Sequence, residues 1–215
     1  MIAITETEVF GWKAAIRGMR NPKNSWHLSD SFYDNGRLIC GENDLKLMKT
    51  LANAGEDHGK FLRFVVVSMD VNAPLYWWKE FDTYKVGTVA NSCSTMHKIH
   101  AKDFTGDDFS HEHLFNDYER HTTDDADYLL TLEIVIDQLN DARKMFLETK
   151  EKGYWWQLIQ LLPSSYNQKR TVQLNYAVLR NMYHARKNHK LDEWHVFCDW
   201  IRTLPYATEL IVGEA

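Results

Sequence analysis

The chain has 215 residues, 44% of them hydrophobic, and a formal net charge of -5. That length is enough for a full core in one domain, expected to span 1–215, and the acidic balance argues against a nucleic-acid binder, which carries a broad basic face. No apolar run approaches the roughly eighteen residues that cross a bilayer, and Met1 to Arg20 lacks the pattern of a secretory leader, so a cytoplasmic protein with no membrane association is expected.

In chain order, Ile2–Thr7 alternates apolar and polar residues as a short strand does, and Trp12–Met19 reads as a short helix ending at Gly18. A loop with turn chemistry and two cations, Arg20 to Ser25, precedes the capping types Ser29-Asp30-Ser31. Asn43–Ala54 predicts a helix with Leu45, Met48 and Leu51 on one face, Asn43 or Asp44 as cap and Gly55 as stop. Phe61–Met69 is rich in β-branched and aromatic residues and predicts a buried strand, after which Pro74 opens a helix over Leu75–Phe81. Gly87–Thr95 consists of small and hydroxyl-bearing residues and reads as a loop that lets backbone approach a ligand.

From His97 to Asp127 the chain is acidic and holds His97, His100, His111, His113 and His121. Their spacing fits no zinc pattern, His111-Glu112-His113 is not HExxH, and a mobile or partner-covering excursion is expected. The three cysteines are odd in number and widely spaced, with no CxxC pair, so no disulfide framework is indicated either. Tyr128–Lys152 predicts a long amphipathic helix with Leu129, Leu132, Ile136, Leu139, Met145 and Phe146 inward and Gly153 as its end. A short helix over Trp155–Leu162, another over Glu193–Leu204 and a ten-residue tail complete the chain, and no internal repeat is visible. Eight Trp and ten Tyr suit a subunit interface or a planar ligand as well as a core.

Leu161–Trp194 carries the functional signal. Read as a helix from Val172, its inward stripe is Val172, Asn175, Tyr176, Leu179, Met182, Tyr183 and Arg186, and the two polar members lie eleven residues apart, about three turns. Burying an amide and a guanidinium without partners is costly, so the stripe either meets polar groups or lines a site. Between Pro163 and Leu191 lie Lys169, Arg170, Arg180, Arg186, Lys187 and Lys190, with His184 and His189 and no acidic residue, a cationic patch suited to a small anion. The resulting fold class is α+β, a small antiparallel or mixed sheet under a dominant helical layer.

In order and spacing the chain resembles the flavin-dependent thymidylate synthase (ThyX) family over about residues 10 to 204. Carrying the resemblance are Asn53-Ala54-Gly55, strand 61–69, Ala73-Pro74, helix 75–81, loop 83–96, Leu162-Pro163, Asn175, Asn181 and Arg186. It implies a homotetramer with sites between subunits, which methylates dUMP at C5 with carbon from methylenetetrahydrofolate and hydride from NADPH through FAD. Arg186, with Asn91, Cys93, Thr95 and Glu80, is thereby assigned to the nucleotide. Asn175, Asn181, Lys85, Thr83, Tyr84, Arg63 and Lys190 are assigned to the flavin. The family signature RHRxxSxNExSxRY is replaced here by residues 83–96, TYKVGTVANSCSTM, in which Thr83, Tyr84, Asn91 and Thr95 stand for an Arg, the His, the acid and the last Arg.

Losing two charge-assisted hydrogen bonds to phosphate costs about 3 to 6 kcal/mol unless other groups replace them. Two readings are therefore open, a reductive methylase and a binding protein that keeps the fold without the reaction. Cys93 likewise reads either as a thiol activated towards a pyrimidine by Lys85 or as a small buried residue. Trp77 and Trp78 read either as a stacking platform or as helix core.

Overall fold

The computed structural model describes residues 1–115 and 127–213. Six strands and seven α-helices form within them: β1 Ala3–Phe10, α1 Trp12–Arg20, β2 Phe32–Asp34, β3 Arg37–Ile39, α2 Glu42–Asn53, β4 Val66–Pro74, α3 Leu75–Phe81, β5 Val89–Ser92, α4 Tyr128–Thr149, α5 Lys152–Leu161, β6 Asn167–Asn175, α6 Tyr176–Arg186 and α7 Asp192–Arg202. The architecture is α+β, as the sequence implies, with a four-stranded sheet ordered β1-β4-β6-β5 and a separate antiparallel hairpin, β2-β3. No helix among the described residues is long and apolar enough to cross a membrane. By its contacts the chain divides into two units, each with its own interior.

The first unit comprises Met1–Ala3, Asn72–Phe81 and Ser92–Arg170. Pro74, with its fixed φ and no N–H to satisfy, suits a helix start, and α3 follows at once. Trp77, Trp78 and Phe81 are all buried on it, ring against ring at 4.9 to 5.1 Å, so the two tryptophans are core and not an open platform. α4 and α5 pack as a hairpin in which Leu132, Ile136, Leu139 and Ala142 face Leu158, while Leu129, Met145 and Phe146 are only half-buried. α4 ends at Lys150, which takes the left-handed conformation at φ 60°, and Gly153 belongs to α5 instead of stopping α4.

The excursion from His97 is no loose flap over its described part. Ile99, Phe104 and Phe109 are buried in the same core, and Asn140 clamps the backbone of Phe104 reciprocally, accepting from its N–H (2.8 Å) and donating to its carbonyl (2.9 Å). His100 packs edge-on against Phe146 and His111 Nδ1 lies 3.0 Å from the Phe109 carbonyl, while His121 falls outside the described residues. Among the described residues no three His, Cys, Asp or Glu side chains are grouped to hold a metal.

The second unit comprises Ile4–Val71, Asp82–Asn91 and Thr171–Ala215. α1 presses Trp12, Ala15, Ile16 and Met19 inward, and Trp12 meets Tyr176 and Tyr206 edge-on at 5.2 and 5.6 Å. Gly11 is there because nothing larger fits: it sits at φ 89°, and a Cβ would lie 1.8 Å from the Phe64 carbonyl oxygen. α2 is capped from a distance. Asp30 accepts from the N–H groups of Asn43 (2.9 Å) and Asp44 (3.0 Å), so neither of those two is the cap. Asp44 is instead a buried acceptor for Arg20 Nε at 2.6 Å.

Two segments differ from the expectation in kind. Gly59–Phe64 is a 3-10 turn, and the strand starts only at Val66, where Val67, Met69, Val71 and Ala73 alternate into the interior. The basic segment is a strand followed by a helix. Val172 and Leu174 are buried at period two on β6, and the helical stripe begins at Tyr176, running through Leu179, Met182 and Tyr183 to Arg186. β5 forms within the expected loop at the outer edge of the sheet, with all four residues exposed. The tail is also structured: Thr208–Val212 makes a π-helical turn with Leu210, Ile211 and Val212 buried.

Candidate functional site

Arg186 closes α6, where a cation is favoured by the carbonyl end of the helix dipole. It is half-buried, and its Nε donates to the Tyr84 hydroxyl at 2.9 Å. The guanidinium carbon lies 5.5 Å from the centroid of the Tyr84 ring and 5.0 Å from that of Trp194, and those two rings meet edge-on at 6.2 Å. The cation is thus held by two π faces and a hydroxyl, and contacts of this type are worth about 0.5 to 2 kcal/mol each. His189 extends the cluster: its N–H returns to the Arg186 carbonyl (2.9 Å), its ring lies 6.3 Å from Trp194, and its Nδ1 accepts from the Leu191 N–H (3.1 Å). His189 belongs to the basic run between Pro163 and Leu191, whereas Trp194 gives no site signal in the sequence beyond an indole eight residues after the cation.

Asn175 stands where β6 ends and α6 begins. Its side-chain oxygen accepts from the Val178 N–H at 3.1 Å as the N-cap, so it does not share a helical line with Arg186. The loop that bears Tyr84 passes the same point. Gly87 is at φ 79°, and a Cβ there would lie 3.1 Å from Asn175 Nδ2 and 3.2 Å from Val178 Cγ2. One turn therefore brings the signature-like loop onto the start of α6, while Tyr84 reaches its end.

The other flavin-assigned residues of this unit lie on its surface. Lys85, Arg63, Lys190 and Asn181 are exposed, and their side chains make no hydrogen bond or ion pair within the described chain; Thr83 is exposed as well. Arg180, next to Asn181, is structural: it donates to the Leu210 carbonyl (2.6 Å) and to Asn53 Oδ1 (2.8 Å). His184 reaches the Ile211 carbonyl at 3.0 Å, and burial, then the neighbouring Arg180 charge, lowers its pKa. Asn91 is exposed on β5. A cavity of about 530 Å³ adjoins the Arg186 cluster through His189 and is lined by Tyr183, Lys187, Cys198 and Arg202, with Asp199 its one carboxylate. A larger cavity, of about 940 Å³ among Phe10, Trp12, Tyr33, Trp200 and Tyr206, contains none of the expected residues.

In the first unit, Cys93 is exposed, which removes the reading of a small buried residue. Its backbone is fixed on both sides, N–H to the Lys169 carbonyl (2.9 Å) and carbonyl to Gln168 Nε2 (2.7 Å). Gln168 is itself buried, accepts from Arg170 Nε at 3.0 Å, and through its carbonyl takes the Trp78 indole N–H at 2.9 Å. Arg170 stacks over the Trp78 ring at 4.1 Å. Thr95 and Glu80 are half-buried, the former in the turn after Cys93 and the latter near the end of α3.

Lys85, Arg63 and Lys190 are exposed cations and Asn181 an exposed amide with no acceptor among the described residues, donors of the kind that bind phosphate. Asn175 is committed to its helix through its oxygen, which leaves the amide nitrogen as its donor.

No protein-family model matches the sequence, and no curated protein matches it significantly. Solved structures do match in fold. Thymidylate synthase X from Helicobacter pylori, solved with FAD and dUMP, superposes with a TM-score of 0.69 at 16% identity, covering 98% of this chain and 97% of its own. A UMP/dUMP methylase, PolB from Streptomyces cacaoi, solved with 5-Br dUMP, gives 0.63 at 14% identity over 99% and 95%. Over its described residues the chain has a ThyX-like fold.

Proposed function

We propose that this protein binds a pyrimidine nucleotide of the dUMP type together with FAD and carries out a reductive methylation at C5 of the pyrimidine. The observation that carries the reading is Arg186, a half-buried guanidinium oriented by Tyr84 and Trp194 in a fold whose solved examples hold these ligands. Arg186 binds the nucleotide phosphate, and the aromatic rings fix its plane. Lys85, Arg63, Lys190, Asn181 and the Asn175 amide nitrogen hold FAD, with Thr83 and Tyr84 beside them. Bound FAD supplies the hydride for the methyl group, NADPH being the electron source and methylenetetrahydrofolate the carbon source. Asn91, Thr95 and Glu80 orient the base, and the exposed Cys93 thiol is the candidate nucleophile towards it. The working form is a single-domain ThyX-like chain in a cytoplasmic homotetramer with sites between subunits, in which a neighbouring subunit supplies part of the phosphate contacts.

Tyr84 favours a second reading. Its hydroxyl accepts from Arg186 and stands where the ThyX signature has a histidine, which fits a protein that retains nucleotide binding without methylation. Purified protein separates the two. Flavin absorption, NADPH oxidation that depends on dUMP, and a tetramer by light scattering support the methylase. A tetramer that binds dUMP but neither takes up FAD nor oxidises NADPH supports the binding protein, and absence of dUMP binding ends both.

A further inference from the structure

Cys93 stands on a run of chain that its own side chains do not hold. Ser92, Cys93 and Ser94 are all exposed, so no apolar burial fixes this stretch. Beyond it, Ser94 Oγ accepts from the N–H groups of Met96 (3.2 Å) and His97 (2.9 Å), which closes a turn on itself. The chain is tied down again at Met96, whose carbonyl accepts from the Trp155 indole at 3.1 Å.

Cys93 itself is gripped from beneath. Its N–H reaches the Lys169 carbonyl at 2.9 Å, as a residue paired alongside β6 does, but its carbonyl accepts from a side chain, Gln168 Nε2, at 2.7 Å. Gln168 is only 7% exposed. The direction of its amide is dictated by its neighbours: a guanidinium only donates, so Arg170 Nε takes Oε1 at 3.0 Å, and a carbonyl only accepts, so Nε2 faces Cys93. Arg170 lies over the Trp78 ring at 4.1 Å, and the Trp78 indole N–H returns to the Gln168 carbonyl at 2.9 Å, which ties the group to the buried face of α3. An apolar side chain of the same length would fill this space without burying an amide. What the amide adds is a fixed peptide group on each side of the Cys93 Cα, and hence a fixed direction for a thiol that projects into water.

We propose that Gln168, oriented by Arg170, is a positioning residue that aims the Cys93 sulfur at the pyrimidine ring. This rests on the reading of Cys93 as the nucleophile. In that step the sulfur electron pair forms a bond to C6, the C5–C6 π pair passes to O4, and the thiol proton leaves to solvent. A sulfur misplaced by about 1 Å slows such a step about a hundredfold, while the hold on the nucleotide phosphate is unchanged.

The test reacts the full chain with 5-chloroacetamido-dUMP, on which a seated thiolate displaces chloride, and with iodoacetamide, which needs no site; peptide mass reads the label on Cys93. Wild type is labelled saturably by the nucleotide reagent, and dUMP competes. Gln168→Glu keeps the packing and the Arg170 partner but sets an acceptor against the Cys93 carbonyl, and Gln168→Met removes both bonds. Each lowers the maximal labelling rate about tenfold or more. The half-saturating concentration stays within about threefold and the iodoacetamide rate within about twofold, because neither depends on where the sulfur points. Circular dichroism confirms that both variants are folded. A maximal rate within about threefold of wild type in a folded Gln168→Glu sinks the proposal and leaves the nucleophile reading standing, and an equal fall with both reagents sinks it too, since the change then lies in the thiol and not in its aim. Wild type that shows no saturation and no competition by dUMP removes Cys93 from the nucleotide site, and the proposal with it.

Discussion

Replacing Arg186 tests the nucleotide assignment most directly, because the structure separates what the side chain does for the fold from what it does for a ligand. Arg186→Ala removes one hydrogen bond to Tyr84, two ring contacts and a favourable charge at the end of α6. Summed at about 0.5 to 1 kcal/mol each for a half-exposed group, these come to about 2 to 4 kcal/mol of stability. For a chain of this length that lowers Tm by about 4 to 16 °C, which leaves the protein folded at room temperature. Binding loses more. Two charge-assisted hydrogen bonds to a phosphate are worth about 3 to 6 kcal/mol, or roughly two to four decades in Kd. Arg186→Lys keeps the charge and loses both the Nε donor and the planar stack, and it falls between wild type and Ala in both respects. Calorimetric titration with dUMP and a thermal melt of the same sample give the two numbers. A folded Arg186→Ala that binds dUMP within threefold of wild type removes Arg186 from the site.

Three further outcomes follow from the fold. Asp44→Asn leaves Arg20 buried opposite a neutral partner and costs about 3 to 5 kcal/mol by urea unfolding, and a loss below 1 kcal/mol contradicts the buried pair. Burial raises the Asp44 pKa, but the bonds from Ser31, Ser29 and Arg20 outweigh it and lower the net value, so its contribution is complete above about pH 4 and is lost as acid protonates it; melts of wild type fall in that range and those of the Asn variant fall less. Gly11→Ala drives a Cβ into the Phe64 carbonyl and yields little folded protein by circular dichroism, whereas normal expression and an unchanged melt refute the close approach. In a thiol titration with DTNB, Cys93 reacts first, and Cys198, its pKa pushed up to about 11 chiefly by burial, reacts only on unfolding; Cys93→Ser abolishes the fast phase, and a second fast thiol contradicts the assignment.

The sequence was most legible where local chemistry decides structure. Pro74 placed the start of α3, and the spacing of Leu132, Ile136 and Leu139 gave the buried face of α4. It was least legible where distant groups decide. The cap of α2 comes from Asp30, twelve residues before the first residue of the helix, and no local pattern announces that. Lys150 ends α4 in the left-handed region although Gly153 was the more usual candidate. The β2-β3 hairpin had a local signal that was passed over, Asn35-Gly36 between short apolar runs.

The misreading of Leu161–Trp194 has a numerical cause. Asn175 and Arg186 are eleven residues apart, which satisfies a helical period, and Val172 precedes Tyr176 by four, which satisfies it again. Only the alternation of Val172 and Leu174 distinguishes the strand, and two residues are a weak signal. Arg186 itself was legible as a polar group on an apolar stripe. Its partners were not, because Tyr84 lies about a hundred residues away in sequence and Trp194 reads as ordinary core.

The passage from β6 into α6 has no intervening loop: Asn175 ends one and Tyr176 begins the other. Such a joint behaves as a stiff boom, not a hinge. At 1.5 Å per residue the helix carries Arg186 about 16 Å from the pivot, so a tilt of about 5° swings the guanidinium by about 1.4 Å, enough to miss a phosphate oxygen. Aim is therefore set at the base of the boom by Asn175, which explains why the facing turn carries a glycine whose absent side chain leaves room for the amide. Drift at Tyr84 or Gly87 therefore moves the cation itself, because one holds the guanidinium and the other leaves room for the amide at the base of the helix.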